Sequence, residues 1–182
     1  MKNVSVALIH YPVYNKNKEI VATSITNLDI HDIARCAKTY GLDKYFIVHP
    51  GKAEQDFAKQ MTGFWNQGYG KTYNPDRSQA LEMIEVIGDM AQLNEYYQSP
   101  VYIATTAKNR QDATDIHTLA QKASQDQNRQ YVLLFGTGWG LAEDVIINAD
   151  YVLKPLNGAT EYNHLSVRSA AAIIFDRINN NY

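Results

Sequence analysis

The most distinctive chemical feature of the sequence is a glycine-rich turn after the apolar run at 131–135. Gly136, Gly138 and Gly140 alternate with Thr137 and Trp139 before the chain continues into an apolar segment. Glycine tolerates positive φ and lets backbone amide groups approach a ligand closely. In open parallel sheets, ligands bind beyond the carboxyl ends of the strands. The turn therefore predicts a ligand site, with a plain tight turn as the alternative interpretation.

Two nucleotide-binding signatures are excluded by their spacing. A dinucleotide fingerprint needs G-x-G-x-x-G after a first strand, whereas here the glycines form G-x-G-x-G after a late one. Gly70-Lys71-Thr72 imitates the end of a phosphate-binding P-loop, but that motif needs a glycine five positions before Gly70, where Trp65 stands. Neither motif assigns the ligand.

Histidines offer one candidate for acid-base chemistry and no metal site. His10 ends the first apolar run, and a histidine at the carboxyl end of a strand is well placed to move protons. A buried structural role for His10 is the competing interpretation. The five histidines lack metal-ligand spacing, and the single cysteine, Cys36, cannot form an internal disulfide. We expect no metal, and we expect Cys36 to be a small buried hydrophobe.

A group of aromatic residues follows the second predicted helix. Phe64, Trp65, Tyr69 and Tyr73 could stack on bases of a nucleic acid. They could equally fill a core or a subunit contact, and the sequence favours that alternative.

Short apolar runs alternate with amphipathic segments along the chain. This alternation indicates an α/β domain with a largely parallel sheet, because strands covered on both faces are apolar throughout. The predicted strands are 4–9, 45–48, 101–104, 131–135 and 151–153. The predicted helices are 30–40, 53–65, 76–97, 114–124, 141–147 and 166–178. Gly41 is expected to end the first helix and Ser166 to cap the last one.

Composition bounds the class of protein. The 182 residues suit one domain spanning 1–182, with 45% hydrophobic and 20% charged residues. No apolar run is long enough for a membrane span, and the N-terminus does not resemble a signal peptide, so we expect a cytoplasmic protein. A net charge of −2 argues against coating nucleic acid through bulk charge, although a local basic patch can still bind RNA. A small-molecule nucleotide-binding enzyme stays open on this ground.

Three segments, taken in order, resemble the SPOUT methyltransferases, especially the branch that modifies ribose 2′-hydroxyls. They are 27–41 with an asparagine, an arginine and a terminal Tyr-Gly; 135–156 with the glycine turn and Lys154-Pro155-Leu156; and 164–167 with the alanine-rich helix. The resemblance implies an α/β fold with a mostly parallel sheet flanked by helices and a C-terminal trefoil knot. It also implies a homodimer that uses S-adenosylmethionine to methylate RNA, with tRNA as the expected substrate.

Site residues follow from the same resemblance. Arg35 would be the catalytic residue on the substrate side, because a guanidinium can hold a phosphate or stabilise a developing oxyanion. Asn27, the asparagine of the same segment, is also expected to be catalytic. His10 joins them as the candidate from the first strand. The residues expected to contact the cofactor are Gly136, Thr137, Gly138, Gly140, Lys154, Pro155, Leu156, Asn163, His164, Leu165 and Ser166.

The sequence departs from the ribose-modifying branch at two positions. That branch usually carries a glutamate in a turn one residue longer than the one at 136–140, and it has an asparagine where His164 stands, directly after Asn163. Methylation of a base is therefore as open as methylation of a ribose. A non-catalytic RNA-binding or regulatory module that keeps the cofactor fold is the alternative function.

Overall fold

The computed structural model describes residues 2–180, which form a mostly parallel sheet between two layers of helical segments. Nine strands are present in this range: β1 Val4–Ile9, β2 Val13–Tyr14, β3 Ile20–Val21, β4 Tyr45–Val48, β5 Ile84–Ile87, β6 Val101–Ala104, β7 Ala113–Thr114, β8 Tyr131–Gly136 and β9 Tyr151–Leu153. The α-helices of the same range are α1 Asn27–Thr39, α2 Lys52–Asn66, α3 Tyr69–Tyr73, α4 Pro75–Leu81, α5 Ile116–Gln125, α6 Glu143–Ile147 and α7 Val167–Asn179. A 3₁₀ helix spans Met90–Glu95.

The main sheet has seven strands in the order β5-β4-β1-β8-β6-β9-β7, and all neighbours are parallel. β1 and β8 lie side by side, with Val4 opposite Tyr131 and Ile9 opposite Gly136. β2 and β3 form a separate antiparallel hairpin. Because the main strands are parallel, their carboxyl ends meet at one edge, where the loops that follow β1, β6, β8 and β9 come together.

Continuous apolar strands explain why the sheet is buried on both faces. Leu8, Leu133 and Phe135 face a core built with α1, α2, α4, α5 and α7. Ile9 and Leu134 face a second core closed by the 3₁₀ helix and α6. The alternation of side chains along each strand divides the core between these two layers.

Helix ends confirm the two local predictions, Gly41 and Ser166, and add a cap at Thr26 that the sequence did not predict. Thr26 caps α1 by accepting a hydrogen bond from the Asp29 amide at 3.1 Å. Gly41 follows α1 with φ +68°, a conformation that L side chains rarely adopt. Ser166 caps α7 by accepting from the Ser169 amide at 3.2 Å, which fixes where that helix begins.

The prediction of one helix over 76–97 is wrong. α4 ends at Leu81, and the apolar residues Ile84 and Ile87 belong to β5, which pairs in parallel with β4. A spacing of three fits a helix face, but the pairing of Tyr45 with Ile84 and Val48 with Ile87 stabilises a strand at this sheet edge. Short strands such as β2, β3 and β7 also carry too little pattern to be predicted. Among the helices formed by residues 2–180, none combines the length and apolarity that crossing a membrane requires.

Candidate active-site cleft

A cleft of about 1090 Å³ lies at the carboxyl ends of β6, β8 and β9. Its walls come from the loop at 105–110, the glycine-rich turn at 136–140, the segment 153–167 and the first turns of α1 and α7. This position matches the general rule for ligands in open parallel sheets. Its volume is slightly above the usual range for small-molecule sites, which is about 300–1,000 Å³.

Ten of the eleven residues predicted to contact a cofactor line this cleft, although they come from three separate segments. Pro155 is the exception, while its neighbours Lys154 and Leu156 are part of the wall. The residues brought together are Gly136, Thr137, Gly138, Gly140, Lys154, Leu156, Asn163, His164, Leu165 and Ser166. The fold thus brings the three segments to one cleft, as binding of a single cofactor requires.

The glycine turn lies between the cleft and the β2–β3 hairpin. Gly138 has φ +57°, and a Cβ built on it would lie 2.8 Å from the Tyr14 carbonyl oxygen. That oxygen accepts a hydrogen bond from the Trp139 amide at 2.8 Å. A side chain at Gly138 would therefore be strained and would push the turn away from the hairpin.

Two polar contacts connect the loops around the cleft. Arg110 donates from Nη1 to Glu143 Oε1 at 2.6 Å, which joins the 105–110 loop to α6. Asn163 donates from Nδ2 to the Ala107 carbonyl at 3.1 Å, which joins the same loop to the segment before α7. The 105–110 loop is therefore held from both sides of the cleft.

A buried carboxylate fixes α7 against α1 at the floor of the cleft. Arg168 donates from Nη1 to Asp29 Oδ1 at 2.7 Å, and its Nε lies 3.5 Å from Asp32 Oδ2. The Asp29 side chain is 8% exposed and also accepts from the Thr26 hydroxyl at 2.7 Å. Because α7 follows directly on the predicted cofactor segment 163–166, this cluster orients that segment.

Replacing Asp29 with alanine is expected to lower the free energy of unfolding by about 2 kcal/mol, because Arg168 and Thr26 lose their shared acceptor. Asp32→Ala is the matched control, since that carboxylate is half exposed and its loss should cost less than about 1 kcal/mol. Urea denaturation measures both values. Equal effects of the two substitutions would show that Asp29 contributes no more to the free energy of unfolding than Asp32 does.

His10 lies behind the cleft and is fully buried. Its Nδ1 is 3.1 Å from the Thr23 hydroxyl, which in turn hydrogen-bonds the hydroxyl of Thr137 in the glycine turn. Among residues 2–180, Nε2 of His10 has no hydrogen-bonding partner. Burial, assisted by the neighbouring His49, lowers the pKa of His10 to about 4. Within the described residues, the hydrogen bond to Thr23, which lines the cleft, connects His10 to the cleft.

The lowered pKa predicts a loss of stability in mild acid. Above pH 6.5, His10 is neutral in the folded and unfolded chain; between 6.5 and about 4, only the unfolded chain takes up the proton. The free energy of unfolding should therefore fall by about 3 kcal/mol as the pH falls through this window, because burial opposes protonation of His10 in the folded chain. His10→Asn, which does not titrate, should lose less stability than wild type over the same range in denaturation at several pH values. Parallel pH profiles of the two proteins would contradict the assignment.

The three predicted catalytic residues lie outside the cleft wall. Asn27 and Arg35 are exposed on α1, while His10 is buried beneath it. Sequence reasoning missed Thr105, Arg110 and Arg168, which the fold adds to the cleft. The strand before the 105–110 loop offered one signal, because its carboxyl end reaches the same sheet edge as the glycine turn.

The wall of the cleft suits a nucleoside cofactor with a charged tail. Apolar side chains, including Leu141, Leu153 and Leu165, offer surface for a flat base, and the amino end of α7 opens into the same space. A Cβ on Gly140 would meet nothing within 4 Å, so the turn leaves room for a ligand there. Within the range 2–180, no group of three or more His, Cys, Asp or Glu side chains could hold a metal ion.

Sequence comparisons identify relatives of this chain. A family model described as SAM-dependent RNA methyltransferase matches residues 3–180. A protein of Oleidesulfovibrio alaskensis named tRNA (guanine-N(1)-)-methyltransferase is 42% identical over 97% of this chain and 42% of its own length. An uncharacterised protein of Aquifex aeolicus is 36% identical over 97% of this chain and 88% of its own length. The chain thus spans about two fifths of the first relative and most of the second.

Solved structures share the fold at low identity. A methylase family protein of Haemophilus influenzae superposes with a TM-score of 0.67 at 16% identity, covering 98% of this chain and 65% of that one. A TrmH/SpoU tRNA modifying enzyme of Aquifex aeolicus gives 0.58 at 15%, covering 100% and 76%. The SpoU methyltransferase AviRb of Streptomyces viridochromogenes, in complex with AdoMet, gives 0.60 at 12%, covering 98% and 57%. The chain therefore belongs to the family of S-adenosylmethionine-dependent RNA methyltransferases, and its fold is that of the SPOUT methyltransferases.

Proposed function

We propose that this protein transfers a methyl group from S-adenosylmethionine to RNA, with tRNA as the expected substrate. The observation that carries the proposal is the convergence of segments 136–140, 153–156 and 163–166 on one cleft, in a chain of this family. Guanine-N(1) methylation appears in the name of one relative, and this chain covers only 42% of that relative's length. Base and ribose therefore both stay open as targets.

We assign cofactor binding to the segments that line the cleft. The amides of the glycine turn and the amino end of α7 would hold the polar groups of S-adenosylmethionine, while Leu156 and Leu165 would cover its base. The cofactor supplies a methyl group on a positively charged sulfur. Lys154 and Pro155 complete the assigned segment. Pro155 does not line the cleft, so its role would be to set the direction of the backbone between Lys154 and Leu156.

Catalytic roles are assigned on the substrate side. Arg35 and Asn27 are exposed on α1, whose first turn reaches the cleft, so RNA bound over this helix would meet both side chains. Within residues 2–180, Arg35 makes no ion pair, which leaves its guanidinium free for a phosphate or a developing oxyanion. His10 would contribute by positioning Thr137 through Thr23.

A homodimer, a trefoil knot near the C-terminus and a single SPOUT-type domain over 1–182 belong to the same proposal. Ala170 and Ala172 are partly exposed on α7, and Leu28 of the neighbouring α1 is 58% exposed. The alanines would let a second copy approach α7 closely, and the contact would bury the exposed Leu28 side chain. The cytoplasmic location stays a prediction.

Incubation of the protein with radiolabelled S-adenosylmethionine and total RNA tests the proposal. Label in the RNA fraction is the expected result, and it separates methyl transfer from a non-catalytic RNA-binding role. RNA that binds the protein but gains no label would favour the non-catalytic module. Binding of the cofactor with no RNA binding at low salt would favour a small-molecule enzyme.

A further inference from the structure

Four aromatic side chains form a patch on α2 and α3, away from the sheet. Phe64, Tyr69 and Tyr73 are 50%, 72% and 71% exposed, and Trp65 beneath them is partly buried. The Tyr69 and Tyr73 rings stack at 6.0 Å with an interplanar angle of 27°, and Phe64 meets Trp65 edge-on at 5.2 Å. We call these four residues the aromatic platform. Three of its rings leave large areas in solvent and do not fill a core, whereas Trp65 packs against the core. The other expectation, a subunit contact, stays a prediction.

Two cationic side chains accompany the aromatic platform, and one of them, Lys71, makes a weak, exposed ion pair. The Arg77 guanidinium lies 4.6 Å from the centre of the Trp65 ring, and in the described chain its Nε has no hydrogen-bonding partner. Lys71, between the two tyrosines, approaches Glu82 only to 3.9 Å, with both side chains more than half exposed. Such a pair contributes little and leaves Lys71 available for a ligand.

The aromatic platform and the cleft flank the same helix. His31 of α1 meets Trp65 edge-on at 5.6 Å, while Thr26 and Asp29 of the first turn of α1 line the cleft. Along the helix axis, His31 is only ~3 Å from Asp29, because each residue advances the helix by about 1.5 Å. The two residues point to nearly opposite sides of α1, because each residue turns the helix by about 100°, so an extended ligand would have to cross the exposed surface of α1 to touch both places.

We propose that the aromatic platform binds unpaired nucleotides of the RNA substrate by stacking, with Lys71 and Arg77 on the phosphates. This inference rests on the proposed function. Stacking suits bases of any sequence, since every base has an aromatic face. A contact with a second copy is the alternative, because Tyr, Trp, Phe and Arg are enriched in protein interfaces. It is disfavoured because it would bury the exposed Lys71–Glu82 pair, and lysine and glutamate are depleted there. RNA neutralises the same cations.

The test uses the full chain and three protein variants. Tyr69→Ala/Tyr73→Ala removes both exposed rings, Tyr69→Phe/Tyr73→Phe keeps them, and Ile147→Ala removes an exposed apolar side chain on α6. Affinity for a single-stranded oligoadenylate of about ten nucleotides is measured at low salt by fluorescence anisotropy. Calorimetry with S-adenosylhomocysteine and sedimentation are run on each variant to check the cleft and the oligomeric state.

The double alanine variant should bind the oligonucleotide about tenfold more weakly or worse, while the phenylalanine and Ile147 variants bind like wild type. Unchanged oligonucleotide affinity in the alanine variant overturns the inference, as does a wild-type protein that binds no oligonucleotide. A change in sedimenting mass with unchanged affinity also overturns it and makes the aromatic platform a protein contact. Failure of the proposed function is distinct, since it would appear as wild-type protein that transfers no methyl group to RNA.

Discussion

Replacing Gly138 with valine should weaken the binding of S-adenosylhomocysteine by at least about tenfold, while the chain still folds. Gly138 has φ +57°, where a non-glycine residue costs roughly 1–2 kcal/mol, and its Cβ would meet the Tyr14 carbonyl at 2.8 Å. The turn relieves this contact by moving away from the β2–β3 hairpin. Its amides then leave the positions that the cleft requires. Titration calorimetry measures the effect.

Gly63→Ala is the matched control for a glycine outside the cleft. A Cβ at Gly63 would meet nothing within 4 Å, and the residue lies within α2. Alanine should therefore stabilise the helix by about 0.5–1 kcal/mol and leave cofactor binding unchanged. If Gly138→Val binds S-adenosylhomocysteine as tightly as the control variant, the turn at 136–140 is a structural turn and not part of the cofactor site.

Arg35→Ala should lower methyl transfer by roughly 100-fold or more while sparing cofactor affinity. Arg35 is exposed on α1, outside the cleft wall, and it contributes no ion pair to the described fold. Its removal should therefore leave stability nearly unchanged and take away a group that acts on the RNA. Single-turnover transfer with saturating cofactor measures the chemical step separately from binding.

Two further variants test whether the transfer rate depends on Arg35 itself and on the shape of its guanidinium group. Lys38→Ala removes another exposed cation from α1 and should retain most of the transfer rate, because Lys38 is not one of the residues that the resemblance assigns to catalysis. Arg35→Lys keeps the charge but loses the two-pronged geometry of the guanidinium, so it should rescue only part of the rate. Equal loss of transfer and of cofactor affinity in Arg35→Ala would show that Arg35 has a structural role.

Strong local signals made parts of the fold predictable. The central strands β1 and β8 are apolar throughout, and α1 and α7 carry both a periodic face and a cap. β5 could not be predicted, because four residues with two isoleucines fit a helix as well as a strand. Only pairing with β4, about 39 positions earlier in the chain, decides between them.

The same distinction holds in the cleft. The glycine turn and the segment 163–166 have sequence signatures, so their residues could be named in advance. The loop at 105–110 is polar and has no pattern, and its role depends on β6 lying beside β8. Asp29 and Arg168 are 139 residues apart, and a pair at that separation is visible only after the fold brings α1 and α7 together.

The exposed aromatic residues show the opposite failure. The sequence favoured a core or a subunit contact for Phe64 and Tyr69, because large aromatic side chains usually bury much of their surface. The α2–α3 junction is too short to fold back over its own rings, and the sheet is already covered by α2 and α4. Exposure is therefore a consequence of the layer arrangement, which residue types alone do not reveal.

Nucleoside mass spectrometry shows directly whether the protein transfers a methyl group from S-adenosylmethionine to tRNA. Total tRNA is incubated with S-adenosylmethionine that carries an isotopically labelled methyl group, with wild-type protein, Arg35→Ala and Gly138→Val, and is then digested to nucleosides. We expect one labelled methylated nucleoside with wild type and little or none with either variant, and the mass fragments distinguish base from ribose. No labelled nucleoside with wild-type protein, despite measurable binding of S-adenosylhomocysteine and of tRNA, would contradict it.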